Sequence, residues 1–195
     1  MVSSRASPGE AAGPLAGGAA LAALVSVLRV LTIVGFVAPG LLWHLAPPAL
    51  AGAAVFGSVA ALLLWRRTTE DGVRQQPHGN PFELKPLLVF ALAFVVVAFV
   101  AAWLTQRVGG SGLLVSSAVF GAVDVDVATL TAARLAGVSV TANQASDAIL
   151  LALAVNAVTR VIFGSAAGST AYALRLAGAA ASALAVAVVV FFLLG

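Results

Sequence analysis

The ionisable residues of this chain fall in clusters, and between them run long stretches with almost no polar side chain. Between Arg29 and Arg66 only His44 is titratable, and from Pro86 to Gln106 there is no charge at all. Runs of this length match the roughly 20 apolar residues a helix needs to cross a hydrocarbon core of about 30 Å. The pattern predicts six spans, at about 17–43, 49–65, 86–106, 113–133, 146–163 and 171–194. Pro47-Pro48 reads as the turn between the first two spans, and Gly109, Gly110 and Gly112 as the connection before the fourth. Arg134 to Gln144 and Gly164 to Thr170 read as the loops flanking the fifth. Residues 1–14 read as a mobile tail and 15–195 as a single membrane domain, with 66–85 its one clear hydrophilic loop.

That loop ends in a readable helix start. In Asn80-Pro81-Phe82-Glu83-Leu84-Lys85-Pro86, Asn80 fits an N-cap, Pro81 position N1 and Glu83 position N3, which places an acid at the positive end of the helix. Pro86 is the alternative first helical residue. The motif reads either as a cap at the membrane surface or as a gate.

Composition sharpens the class. Hydrophobic residues make up 62% of the 195 positions and charged residues 9%, where a soluble domain carries about 25%. Mean hydropathy is +1.10. These values exclude a soluble globular domain, a nucleic-acid binder and a disordered chain, and make the lipid bilayer the first partner. The fold class is all-α: a polytopic transmembrane helical bundle whose fourth helix contains the acids and is a candidate for a break. The pI near 10.6 rests on a net charge of only +3, which loop topology explains. There is no cysteine, and two histidines, His44 and His78, are too few and too far apart for an imidazole metal cluster.

With six crossings, one side receives Arg5, Arg66, Arg67, Arg74, Lys85 and Arg134, the other Arg107, Arg160 and Arg175. The positive-inside rule then places both termini in the cytoplasm, provided the fourth helix crosses. Trp43, Trp65 and Trp103 fall near helix ends, as interfacial anchors do.

The informative residues are those that hydrocarbon rejects. Asp124 and Asp126 in the fourth span, Asn156 in the fifth and Arg29 in the first fall at similar depth near the midplane. Each Asp or Arg there costs about 2.5–3.5 kcal/mol on insertion scales, so these groups need partners or water. Two residues apart, the aspartates point about 200° from each other on a regular helix. Gly121 just upstream favours a local break, which membranes tolerate where unwound backbone lines a cavity. Thr129, Thr131, Ser116 and Ser117 add oxygen ligands. Arg160 shares a face with Asn156 and is near enough to the helix end to snorkel. Asp124, Asp126, Asn156 and Thr129, with Arg29 and Arg160 as countercharges, suit a proton relay or a hard divalent cation such as Mg²⁺. The alternative is purely structural: Arg29 pairs with one aspartate, the other is protonated, and the polar groups only hold helices together. Gly178 and Ser182 offer a small-residue face for close packing, and Gly164 and Gly168 repeat that spacing in a loop.

The segments NPFELKPLLVF (80–90) and GAVDVDVATLTAARLA (121–136), followed by Asn156 and Arg160, resemble the uncharacterised membrane domain at the C-terminal side of MgtC/SapB-type bacterial proteins. The similarity covers roughly residues 80–190 and extends towards Arg29. Val2-Ser3-Ser4 matches a segment that in that domain follows further helices, so the chain resembles a member that starts midway. Val115-Ser116-Ser117 and the pairing of Arg29-Val30 with Arg160-Val161 resemble a duplicated unit, with the first and fifth helices running the same way. The resemblance implies a bacterial-type inner membrane, a link to magnesium homeostasis, and helices supplied by another chain or a homo-oligomer. It carries over no established activity.

Two functions compete: a transporter or channel-like protein for a cation or proton with a midplane carboxylate site, or a non-transporting membrane module that binds or regulates a partner protein. An enzyme is not expected, because there is no nucleophile elbow, phosphate loop or paired histidine.

Overall fold

The computed structural model describes residues 12–68 and 112–194, together with Leu88, Leu92, Val95, Val96 and Phe99. The described residues form six α-helices: α1 (Ala12–Val37), α2 (Leu42–Thr68), α3 (Gly112–Val123), α4 (Val125–Leu135), α5 (Ala142–Ala167) and α6 (Thr170–Leu194). α1, α2, α5 and α6 are long and apolar enough to cross a membrane. At 1.5 Å per residue a 26-residue helix such as α1 or α5 is about 39 Å long, more than the hydrocarbon thickness. The protein is therefore an all-α, polytopic helical bundle, as the apolar runs predict. The helix-start motif Asn80, Pro81, Glu83, Lys85, Pro86 lies outside the described residues, as does most of the third span. The five described positions of that span are helical, all exposed, and share one face at helical spacing.

Two boundaries differ from expectation. The first turn falls at Pro39–Leu41, a short 3-10 helix after Ala38 at φ −149°, and not at Pro47-Pro48. Both prolines lie inside α2, where they leave the carbonyls of Trp43 and His44 without their usual amide donors. Membrane helices tolerate this when neighbours or water satisfy the freed groups. At the other end, α1 already begins at Ala12, so residues 12–14 are helical and not part of a tail.

Helix directions follow from the contacts. Gly17 of α1 lies against Leu63 and Leu64 of α2, so these two are antiparallel. Gly13 lies against Arg175, and Ala20 and Ala23 pack with Ala179, Ala180 and Ala183, so α1 and α6 run the same way. Gly164 touches Tyr172 and Leu176, and the Ser146 hydroxyl donates to the Leu41 carbonyl at 3.5 Å, so α5 descends from the end that α1 reaches. The first and fifth spans are thus antiparallel, contrary to the parallel repeat. Ala12 and Leu194 lie at opposite ends of the bundle.

The reason lies in the fourth element. It is present and broken, as the paired acids and Gly121 suggest, but its halves fold back on each other. Leu113 packs on the cluster that contains Leu41, Ala145 and Ala148. Gly121 abuts the backbone of Ala152, and Ala122 and Val123 border a cleft with Asn156 and Arg160. α3 therefore descends beside α5. α4 returns along α1 and α5, burying Val125, Ala128, Ala132 and Ala133 against Val30, Val34 and Ile149. The result is a re-entrant helical hairpin, entering and leaving at the end where α5 starts.

Small residues make this closeness possible. The α1–α2–α6 interface is built from Ala20, Ala23, Ala60, Ala179, Ala180 and Ala183 around Phe56. Without a hydrophobic drive between helices in lipid, such close backbone approach supplies the van der Waals contact that holds them.

Candidate functional site at the hairpin tip

The break between α3 and α4 is a single residue, Asp124, with extended backbone at φ −153°, ψ 101°. Its carboxylate Oδ1 accepts from the amides of Asp126 at 2.9 Å and Val127 at 3.4 Å. An acid at this position satisfies orphan N–H groups and meets the positive end of α4, two favourable terms at one place. Thus the break itself gives Asp124 a role.

Asp126, in the first turn of α4, points to α1. Its Oδ2 lies 2.7 Å from an Arg29 guanidinium nitrogen. Its other oxygen, Oδ1, is buried and has no hydrogen-bond partner. The pair is only partly shielded, with side chains 57% (Arg29) and 30% (Asp126) exposed. Ala152 to Asn156, level with the tip, lie about 15–21 Å into α5, near its middle. The carboxylate and its countercharge therefore sit at membrane depth, where an unpaired ion is costly.

The other expected residues divide. Asn156 and Arg160 line a cleft of 370 Å³ with Ala122, Val123, Thr159 and Tyr172, so the hairpin tip borders it. Arg160 also lines a second cleft, of 400 Å³, with Ser26 and Arg29. It borders two clefts of the bundle. Thr129 is fully buried and its hydroxyl donates to the Val125 carbonyl of its own helix at 2.7 Å. Ser116 likewise donates to Leu113. The structure brings together Asp126 with Arg29, Arg29 with Arg160, and Arg160 with Asn156. It turns Asp124 to the α4 amides and keeps Thr129 inside α4. Ser26 and Tyr172 escaped the sequence reading. Ser26 carried a signal, since it stands one turn before Arg29 on the same helical face.

A re-entrant hairpin with a charged, capped tip at mid-depth, set among long apolar helices, defines a class: a multi-pass helical membrane protein with a built polar centre. Residues 1–168 match the family described as a domain of unknown function, DUF4010, and the chain belongs to that family. No curated protein and no solved structure matches it.

Proposed function

We propose that the protein is a membrane transporter or channel-like protein for protons or a small cation, with Asp126 as the charge-bearing group and Arg29 as its countercharge. The observation that carries this reading is the buried, unpartnered Oδ1 of Asp126 at the tip of a re-entrant hairpin. A carboxylate oxygen left unsatisfied at that depth is a site for a proton or a cation. Irregular backbone at membrane depth is tolerated where it is buried in protein or lines a water-filled cavity, as in the broken helices of transporters. Among the described residues no group of three or more His, Asp or Glu side chains converges. A dehydrated divalent ion wants six or more oxygens, so a proton or monovalent cation suits the tip better than Mg²⁺.

The basic residues favour an orientation. Arg66 and Arg67 end α2 and Arg175 lies in the first turns of α6, at the end of the bundle where α1 starts, whereas Arg134 ends α4 at the opposite end. The positive-inside rule puts the α1 start in the cytoplasm and lets the hairpin enter from the outer face of a bacterial-type inner membrane. The resemblance to the MgtC/SapB-associated domain fits this location. Exposed Asp124 and half-exposed Arg29 at mid-depth call for cover by further helices, and a second copy or another chain is one source of them.

The test is proton flux in vesicles under an imposed potential. Asp126→Asn should lower the rate at least tenfold while the purified variant keeps its helix content. Undiminished flux would overturn the reading. A fall in thermal stability with no flux in the wild type would instead favour a non-transporting module held by the Arg29–Asp126 pair.

A further inference from the structure

The 400 Å³ cleft between α1 and α5 carries a chemistry that a cation or proton pathway does not use. It is lined by Ser26, Arg29 and Arg160, with Gly18, Leu21, Ala22 and Val25 completing the wall. Two guanidiniums share it and their charges repel, yet only Arg29 has an acid partner among the described residues. Among the described residues the cleft, open along Gly18, Leu21, Ala22 and Val25, therefore holds a positive charge with no acid partner between two membrane-spanning helices, where such a charge is expensive unless a counterion visits it.

Ser26 supplies the independent observation. Its side chain is 5% exposed, and its Oγ is buried with no hydrogen-bond partner. Helical hydroxyls in apolar surroundings usually donate to a carbonyl one turn back. Thr32, Ser58, Thr129 and Ser182 of this chain all do so. The Ser26 hydroxyl does not; it is buried without a partner, in a residue that lines the cleft the two arginines share. A hydroxyl donor beside planar guanidinium donors is the donor set for an oxyanion.

We propose that Ser26, Arg29 and Arg160 form a binding site for a small oxyanion of the phosphate or carboxylate type. Arg160 supplies the unpaired charge, Ser26 a directional hydroxyl donor, and Arg29 a guanidinium shared with Asp126. The same chemistry is met by a free anion or by the phosphodiester of an anionic lipid. The site shares Arg29 with the hairpin centre, but its test reads binding and not flux, so either reading can fail alone.

The experiment is a thermal-shift titration of the full chain in neutral detergent, with inorganic phosphate or acetate against chloride at matched ionic strength. A parallel titration uses mixed micelles containing phosphatidylglycerol. Stabilisation by phosphate or acetate is expected, with the apparent Kd weakened roughly tenfold or more in Arg160→Gln and severalfold in Ser26→Ala. Arg175→Gln, which alters an exposed arginine outside the cleft, should bind as wild type. Stabilisation by the lipid alone, lost in the same two variants, would support the site with a headgroup as its ligand. Should Arg160→Gln fail to fold, Ser26→Ala and Arg160→Lys decide the matter, since both keep the packing. No shift with any of the three ligands, or equal shifts in wild type and Ser26→Ala and Arg160 variants, would overturn the proposal.

Discussion

Gly121 shows how narrowly the hairpin is fitted. A Cβ at this position would stand 2.6 Å from the Cα and carbonyl oxygen of Ala152, and backbone cannot step aside as a flexible side chain can. Gly121→Ala should therefore destabilise the protein by about 1–3 kcal/mol, read as a lower Tm in detergent. Gly18→Ala, where a Cβ meets nothing within 4 Å, should leave Tm unchanged or slightly raised. The ion pair makes a second prediction at this scale. Removing either Arg29 or Asp126 leaves the other uncompensated, so Arg29→Leu and Asp126→Leu should each destabilise, and the double variant by less than their sum. The coupling should lie within about 0.5–3 kcal/mol, below the cost of breaking a fully buried pair because both side chains are partly exposed. Additive effects in a double-mutant cycle would contradict the pairing. At this scale the sequence is readable where polarity stands out: Asp124, Asp126, Asn156 and Arg29 are conspicuous in an apolar run. Ser26 is less conspicuous: it stands one turn before Arg29, but a single hydroxyl in a membrane helix usually satisfies itself locally.

At the scale of elements, the hairpin depends on its two helix starts. Asp124→Ala removes the acceptor for two α4 amides and should cost about 0.5–2 kcal/mol. Asp124→Asn retains a good cap and should lie close to wild type, which separates the capping role from the charge. α5 starts with a capping box: the Thr141 hydroxyl accepts from the Gln144 amide at 3.2 Å, and the Gln144 side chain accepts from the Thr141 amide at 3.0 Å. Gly137, at φ +76°, turns the chain between α4 and this box in a conformation that other residues adopt reluctantly. The break at Asp124 was legible in the sequence, from two acids that a regular helix would point apart and from the glycine before them. The fold-back was not, because a crossing helix with a kink and a re-entrant hairpin share the same hydropathy. What separates them is packing, Leu113 and Ala132 on one cluster, which no local pattern records. The position of the first turn is not legible for a similar reason: Pro39-Gly40 and Pro47-Pro48 can each break a helix, and the extended backbone at Ala38 decides between them.

For the molecule as a whole, one element decides topology. A crossing fourth element would put Ala12 and Leu194 on one side and make α1 and α5 parallel. A re-entrant one puts them on opposite sides and makes α1 and α5 antiparallel, as observed. The bundle class was legible because hydrocarbon imposes length and apolarity on every span, and four such helices stand among the described residues. Helix direction was not, since loop charges give only a bias that one half-crossing element reverses.

The fold-back also places the acids at mid-depth beside Arg29, so its topology is the central claim. The chain has no cysteine, so single cysteines introduced at Gly112, Ser139 and Ser165 can be labelled in sealed vesicles with a membrane-impermeant maleimide. Gly112 starts α3, Ser139 lies in the turn before α5, and Ser165 lies near the end of α5. Gly112→Cys and Ser139→Cys should react from the same face and Ser165→Cys from the other. Labelling of Gly112→Cys together with Ser165→Cys, and opposite to Ser139→Cys, would mean that the fourth element crosses the membrane, and would contradict the account.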